Sequence, residues 1–184
     1  MGDEELVKLI LQGDDNALQR LYDRYFQVVF QYAFIQTGNY HDAEEVTQDV
    51  FSKMARYLHK YQQKSTFKTW LFTIGRNVII DYHRKHKRQK SVRGFYEGEM
   101  EALATTNKES EWQNDNMEAI LDILAKLPQD YRSVIQLRFI DGFSLNETAE
   151  IMKKTLLSVK SLQHRAKKQL QESFHEREGG VWNE

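Results

Sequence analysis

Apolar residues recur along this chain at steps of three and four, the period of amphipathic helices rather than of strands. Leu6, Val7, Leu9 and Ile10 mark a short helix over residues 4–12, with Asp3 placed to cap it. Polar residues 14–16 open a second helix, along which Leu18, Leu21, Tyr22, Tyr25, Val28, Val29 and Tyr32 recur until Gly38 and Asn39 end it. A third runs from about 41 to 58. Asp42, Glu44 and Glu45 lie in its first turn, where the helix dipole favours anions, and Ala43, Val46, Val50, Met54 and Leu58 form its apolar stripe. After a polar stretch, a fourth starts near Ser65 or Thr66 and runs to about 89. Four more follow at about 115–126, 129–140, 145–152 and 156–174, with Pro128 separating the first two and Asp141-Gly142 marking a turn. Residues 94–112 between the two groups are acidic, hold two glycines and show no period. The pattern predicts an all-α chain of two small helical domains, 1–93 and 115–176. A flexible acidic linker over 94–114 joins them, and a short tail occupies 177–184.

Composition removes several classes of chemistry. One proline and nine glycines in 184 residues disfavour an all-β chain with many tight turns. The absence of cysteine excludes a disulfide framework, a Cys-based zinc site, an iron–sulfur cluster and a cysteine nucleophile. No apolar run reaches the length of about 18 residues that a membrane helix needs. The start MGDEELVKLI is acidic and lacks the basic end and apolar core of a secretion signal, so a cytoplasmic protein is expected.

A net charge of −1 conceals an uneven distribution. Residues 59–93 carry ten Lys/Arg against one Asp/Glu, whereas 94–125 carry one against eight. A basic block of this kind attracts polyanions locally, nucleic acid first among them.

Two helices carry the candidate chemistry. Ser144-Leu145-Asn146-Glu147 fits a capping box and opens a short helix; Lys153, Lys154 and Thr155 make a brief turn, and a second helix follows. On that second helix Val159, Leu162, Ala166 and Leu170 share one stripe. Leu157, Ser161, His164 and Lys168 lie opposite, flanked by Ser158, Lys160 and Arg165. Cations and small hydroxyls suit a major-groove helix, and Leu157 suits a thymine methyl. An ordinary helical hairpin with a solvated face has the same spacing. The other helix, FKTWLFTIGRNVIIDYHRKHKRQK over 67–90, carries Phe67, Leu71, Ile74, Val78 and Tyr82 on one stripe and Trp70, Phe72, Ile79 and Ile80 off its centre. From Arg84 onward it is almost purely cationic. Spare aromatics beside cations suit single-stranded DNA, the cations tracking phosphates and the rings stacking on bases; burial in the core is the other use for such a surplus. His83 and His86 are three apart, but Arg84, Lys85, Lys87 and Arg88 surround them and disfavour a dication. No metal site, cofactor site or catalytic constellation stands out, and the chain is not expected to be an enzyme.

These stretches, taken together, resemble the bacterial RNA polymerase sigma factors of the extracytoplasmic-function (ECF) group of the sigma-70 family. Four segments carry the resemblance, in order and over nearly the whole chain: DAEEVTQDVFSKMARYL at 42–58, FKTWLFTIGRNVIIDYHRK at 67–85, LPQDYRSVIQLRFIDGFSLNETAEIM at 127–152 and SVKSLQHRAKKQL at 158–170. It implies region 2 over 1–93, region 4 over 115–176, and a promoter-directing function through core RNA polymerase. It implies core polymerase binding by Asp42, Glu45, Gln48, Asp49 and Phe51. It implies capture of single-stranded −10 DNA, with Ser65, Thr66, Phe67, Trp70 and Asn77 near the bases and Lys64, Lys68, Arg76, Arg84, Lys85 and Arg88 on phosphates. Duplex −35 DNA falls to Ser158, Lys160, Ser161, His164, Arg165 and Lys168. An anti-sigma factor is the implied regulator, with no membrane insertion of the chain's own. The linker either threads toward the polymerase active centre or serves as a solvated tether. The family often has Thr where Ser158 stands, and Lys153 and Lys154 replace its usual turn residues. A stand-alone helix–turn–helix regulator of duplex DNA is the alternative, but it leaves 42–58 and the basic aromatic helix without a use. A helical adaptor leaves the cationic block without one.

Overall fold

Capping chemistry sets most helix boundaries in the computed structural model, which describes residues 1–93 and 115–179. The expected linker over 94–114 and tail residues 180–184 lie outside the described residues. Helix α1 (Asp3–Leu11) begins one residue earlier than Asp3 as its cap would allow, because Gly2 occupies the cap position. The Asp3 carboxylate instead accepts from the Arg24 guanidinium and the Tyr25 hydroxyl, tying α1 to α2 (Asp15–Thr37). Asp14 caps α2, its carboxylate accepting from the Asn16 and Ala17 amides at 2.9 and 3.1 Å. Gly38 ends α2 at φ 70°, a left-handed conformation that a Cβ disfavours. The Asn39 carboxamide then accepts from the Asp42 amide at 3.0 Å and opens α3 (Tyr40–Tyr57). A 3-10 turn (Leu58–Lys60) follows, and Thr66 caps α4 (Phe67–Arg93) by accepting from the Thr69 amide at 3.2 Å.

The C-terminal half holds α5 (Asp115–Lys126), α6 (Gln129–Ile135), α7 (Leu145–Met152) and α8 (Leu156–Gly179). A π-helical turn (Gln136–Ile140) extends α6. The capping box forms as its sequence predicts: the Ser144 hydroxyl accepts from the Glu147 amide at 3.2 Å, and the Glu147 carboxylate accepts from the Ser144 amide at 2.8 Å. Among the described residues there is no strand.

Lys153 ends α7 at φ 52°, ψ 44°, where the Cβ of a non-glycine residue is crowded. Its side chain is exposed. Lys153→Gly is therefore expected to raise stability by about 1 kcal/mol, since the left-handed cost of 1–2 kcal/mol outweighs the extra chain entropy of glycine. The urea midpoint measures this; an unchanged or lower midpoint counts against the strain.

Each half has an apolar centre. In the N-terminal half the predicted stripe of α3, Ala43, Val46, Val50, Met54 and Leu58, is buried and meets Leu21, Tyr32, Phe67 and Leu71. In the C-terminal half Val134, Leu137, Ile151, Val159 and Ala166 are buried. Helix α4 departs from the one-sided pattern. Besides Phe67, Leu71 and Val78, it buries Thr69, Phe72, Arg76 and Ile79. Residues 69, 72, 76, 79 and 83 follow a three–four step and form a second stripe, which explains the apolar surplus of this helix. That stripe faces α6, α7 and the turn between them.

Candidate nucleic-acid interface

Three surfaces gather the residues singled out from the sequence. The first is the outer side of α3. Glu45, Gln48 and Asp49 are exposed there. Asp42 is half-buried and accepts from the Tyr82 hydroxyl of α4 at 2.6 Å, which holds the two helices in register. Phe51 is buried, but its ring floors an apolar groove of about 270 Å³ lined by Leu18, Tyr22 and Met54, and lies tilted against the Tyr22 ring at 4.6 Å. Acidic residues beside an apolar groove offer a partner both charge and a hydrophobic seat.

The second surface is the start of α4. Tyr61, Phe67 and Trp70 form an aromatic cluster with centroid distances of 5.3–5.7 Å, and the Tyr61 hydroxyl donates to the Ser65 carbonyl at 2.8 Å. Phe67 has 2% of its surface exposed and also meets Tyr25, so the expectation that its ring lies near bases is corrected: it is core, drawn inward by the first position of the buried stripe. Trp70 is half-buried and supplies the remaining edge of the cluster. Lys64 and Thr66 are exposed, and Ser65 and Asn77 half-buried. Farther along, Lys85 and Arg88 are exposed. Arg84 donates to Asp81 at 2.9 Å, with Lys53 3.8 Å from the same carboxylate.

The third surface is α8. Its stripe of Val159, Leu162 and Ala166 is buried, while Ser158, Lys160, Ser161, His164, Arg165 and Lys168 are all exposed on the remaining surface. Leu157 has 77% of its surface exposed, the highest of the large apolar residues described. The Thr155 hydroxyl accepts from the Ser158 amide at 3.2 Å and fixes where the helix begins.

Two predicted phosphate contacts are not on open surface. Lys68 donates to the Asp141 carbonyl at 2.8 Å and lies 4.5 Å from the Phe143 ring centroid. Arg76 is 8% exposed and pairs with Asp130 at 3.1 Å; Lys154 reaches the same carboxylate at 3.1 Å. Thr69 donates to Glu147 at 3.2 Å, and Phe72 meets Phe143 edge-on at 4.8 Å. Deeper in the seam, Gln36 donates to Gln136 at 2.7 Å. Arg132 donates to the Gln36 carbonyl at 3.0 Å while also bonding the Leu124, Ala125 and Leu127 carbonyls at the end of α5. Sequence reasoning missed these contacts, because the 69–72–76–79–83 stripe mixes apolar with polar residues and carries no hydrophobic period.

Burial in the seam pushes the Asp141 carboxyl from its ordinary 3.8 up to about 7, against the pull of Lys68. The folded chain thus holds this proton more tightly than the unfolded chain does. The contribution is complete below pH 3.8 and is lost as pH rises through about 7. Wild type is expected to melt at a lower temperature at pH 8 than at pH 5.5, and Asp141→Asn to flatten that difference. Parallel melting profiles for the two chains would sink the assignment.

Comparison with known proteins matches this geometry to one group. Residues 21–89 match the family described as Sigma-70 region 2, and residues 117–170 match Sigma-70, region 4. The chain is 31% identical to the ECF RNA polymerase sigma factor SigX of Bacillus subtilis (strain 168) over 160 residues, 85% of this chain and 82% of that one. It is 27% identical to SigW of the same organism over 182 residues, 92% and 95% of the two chains. Among solved structures, the sigma factor RpoE in complex with the anti-sigma factor NepR from Bartonella quintana aligns with a TM-score of 0.69 at 25% identity, covering 85% of this chain and 95% of that one. CnrH in complex with the cytosolic domain of CnrY aligns at 0.69 with 23% identity, covering 92% and 94%, a likeness of fold.

Proposed function

The chain belongs to the ECF RNA polymerase sigma factors of the sigma-70 family, which bind core polymerase and direct promoter-specific initiation, and from that premise we propose which residues do each part. The polymerase carries out the chemistry, and this chain supplies recognition and strand opening without catalysis of its own. Matches to region 2 and region 4 in one chain carry this conclusion.

Core polymerase docks on α3 through Asp42, Glu45, Gln48, Asp49 and the Phe51 groove. The exposure of the central acidic residues beside that apolar groove supports this. Single-stranded −10 DNA meets Ser65, Thr66, Trp70 and Asn77, with Lys64, Lys68, Arg76, Arg84, Lys85 and Arg88 on its phosphates. Flipping a base costs a few kcal/mol, and stacking returns about 1–3 kcal/mol per base. Duplex −35 DNA meets Ser158, Lys160, Ser161, His164, Arg165 and Lys168, with Leu157 against a thymine methyl. The RpoE–NepR complex supports an anti-sigma partner for this chain as well. Among the described residues no helix is long and apolar enough to cross a membrane. A polymerase subunit acts where the polymerase is, and this supports a cytoplasmic location. A stand-alone helix–turn–helix regulator needs only the C-terminal half, and the region 2 match gives it no support.

Run-off transcription tests the assignment: core polymerase and genomic promoter fragments, with and without this chain. Discrete transcripts that require the chain are expected, and their shared upstream sequence supplies the −35 and −10 elements. An unchanged transcript pattern, with no co-elution with core, overturns it.

A further inference from the structure

One contact of the proposed docking surface comes from a residue of another helix. Asp42 is the third residue of α3, after the Asn39 cap. A carboxylate at that place can fold back onto the cap amide, as Glu147 does onto Ser144. Asp42 does not. The Asn39 amide donates to the Thr37 hydroxyl at 3.5 Å, and the Asp42 carboxylate reaches across to α4, where Oδ2 accepts from the Tyr82 hydroxyl at 2.6 Å. Oδ1 accepts no hydrogen bond among the described residues.

The donor is itself braced. The half-buried Tyr82 ring lies against two histidines of its own helix, His86 tilted at 4.0 Å and His83 edge-on at 5.2 Å. His86 is tethered in turn, its Nδ1 3.1 Å from the Tyr82 carbonyl oxygen. Burial first, then the bond to Asp42 and the charges of Asp42 and Glu45, hold the Tyr82 phenol above its ordinary range, so it stays a donor toward the carboxylate.

Asp42, Glu45 and Asp49 follow steps of three and four and form one row along α3. Glu45 and Asp49 are exposed and make no hydrogen bond or ion pair among the described residues, so Asp42 is the member of the row whose side chain is fixed beforehand. Immobilising a side chain on binding costs affinity, and Asp42 has lost that freedom already in the free chain. An oriented carboxylate also suits the directional, charge-assisted bond of a guanidinium or ammonium group.

We infer that Tyr82 is a positioning residue for the docking of core polymerase: it touches no partner itself, and its hydroxyl holds the Asp42 carboxylate so that the other oxygen meets a cationic group of the polymerase. This rests on the assignment of Asp42 to core polymerase.

The test is run-off transcription with core polymerase held constant and the full chain titrated. The chain concentration at half-maximal output reads docking, and the plateau reads the steps after docking. Wild type, Tyr82→Phe, Asp42→Ala and the double variant are compared. Tyr82→Phe keeps the ring and loses one oxygen, and circular dichroism melts verify that each chain is folded at the assay temperature. Tyr82→Phe is expected to raise the half-maximal concentration about fivefold, the scale of immobilising one side chain, at an unchanged plateau. Asp42→Ala is expected to raise it at least as far, and removing the hydroxyl from the Asp42→Ala chain to change nothing more. An equal rise in both backgrounds means that Tyr82 acts through something other than Asp42 and overturns the inference. A Tyr82→Phe chain that docks like wild type beside a weakened Asp42→Ala overturns it too, as does a lowered plateau at an unchanged half-maximal concentration, which belongs to strand opening. If Asp42→Ala itself docks like wild type, the assignment of Asp42 beneath the inference is what fails, so the two failures are told apart.

Discussion

Trp70→Ala is expected to leave the chain bound to core polymerase and to cut open-complex formation by about fivefold or more, the loss of one base stack of about 1–3 kcal/mol. With Phe67 buried, Tyr61 and Trp70 are the half-buried rings of the cluster, and Trp70 is the one on α4 proposed to meet a base. Its indole is held by neighbours on α4 and in the preceding loop, so little side-chain entropy remains to be lost when a base stacks on it. The residues proposed to dock polymerase stand on α3, away from the substitution. Permanganate reactivity of the −10 thymines reads strand opening, and co-elution with core reads docking. Trp70→Tyr, which keeps a ring, should recover much of the opening. Equal permanganate reactivity in Trp70→Ala and wild type would falsify the stacking role.

Arg165→Ala and Lys168→Ala should each weaken −35 binding by about 1–3 kcal/mol if they read base edges. A residue that touches only phosphate should instead lower the slope of log affinity against log salt by about one. Both residues are exposed on the side of α8 away from Val159, Leu162 and Ala166, so truncation leaves the core intact. Arg165 also donates to the Ser161 carbonyl at 3.4 Å and lies 6.0 Å from the Tyr131 ring, which limits how far its guanidinium can swing. Footprinting of the holoenzyme over a range of salt separates base readout from phosphate contact. If transcription from every promoter is unchanged in both variants, the recognition side of α8 has been assigned to the wrong face.

Much of the fold was legible because its signals are local. The Asp14 cap, the Gly38 stop and the Ser144–Glu147 box each act within four residues, and each helix they bound appears where the pattern predicts it. The stripe of α3 was equally plain, being apolar and regular. Asp3 was misjudged because a carboxylate at a helix start has two competing uses, and the side chains of Arg24 and Tyr25, some twenty residues on, decided between them. Phe67 was misjudged for a related reason. An aromatic ring serves a core and a base stack equally well, and only the position of Tyr25 and Tyr61 around it selects the core.

By itself, then, the sequence determined the helices and the two halves, and it marked the three surfaces proposed to face partners, since periodicity and capping depend on near neighbours along the chain. Tertiary structure alone decided which cations are free. The contacts that cover Lys68 and Arg76 join residues 73 and 54 positions apart, and the Gln36–Gln136 bond beside them joins residues 100 apart. They are polar pairs of unlike type, and a mixed stripe of Thr69, Phe72, Arg76 and His83 has no hydrophobic period to announce it. Its meaning depends on what is opposite, and only the folded chain brings Asp130, Phe143 and Glu147 there.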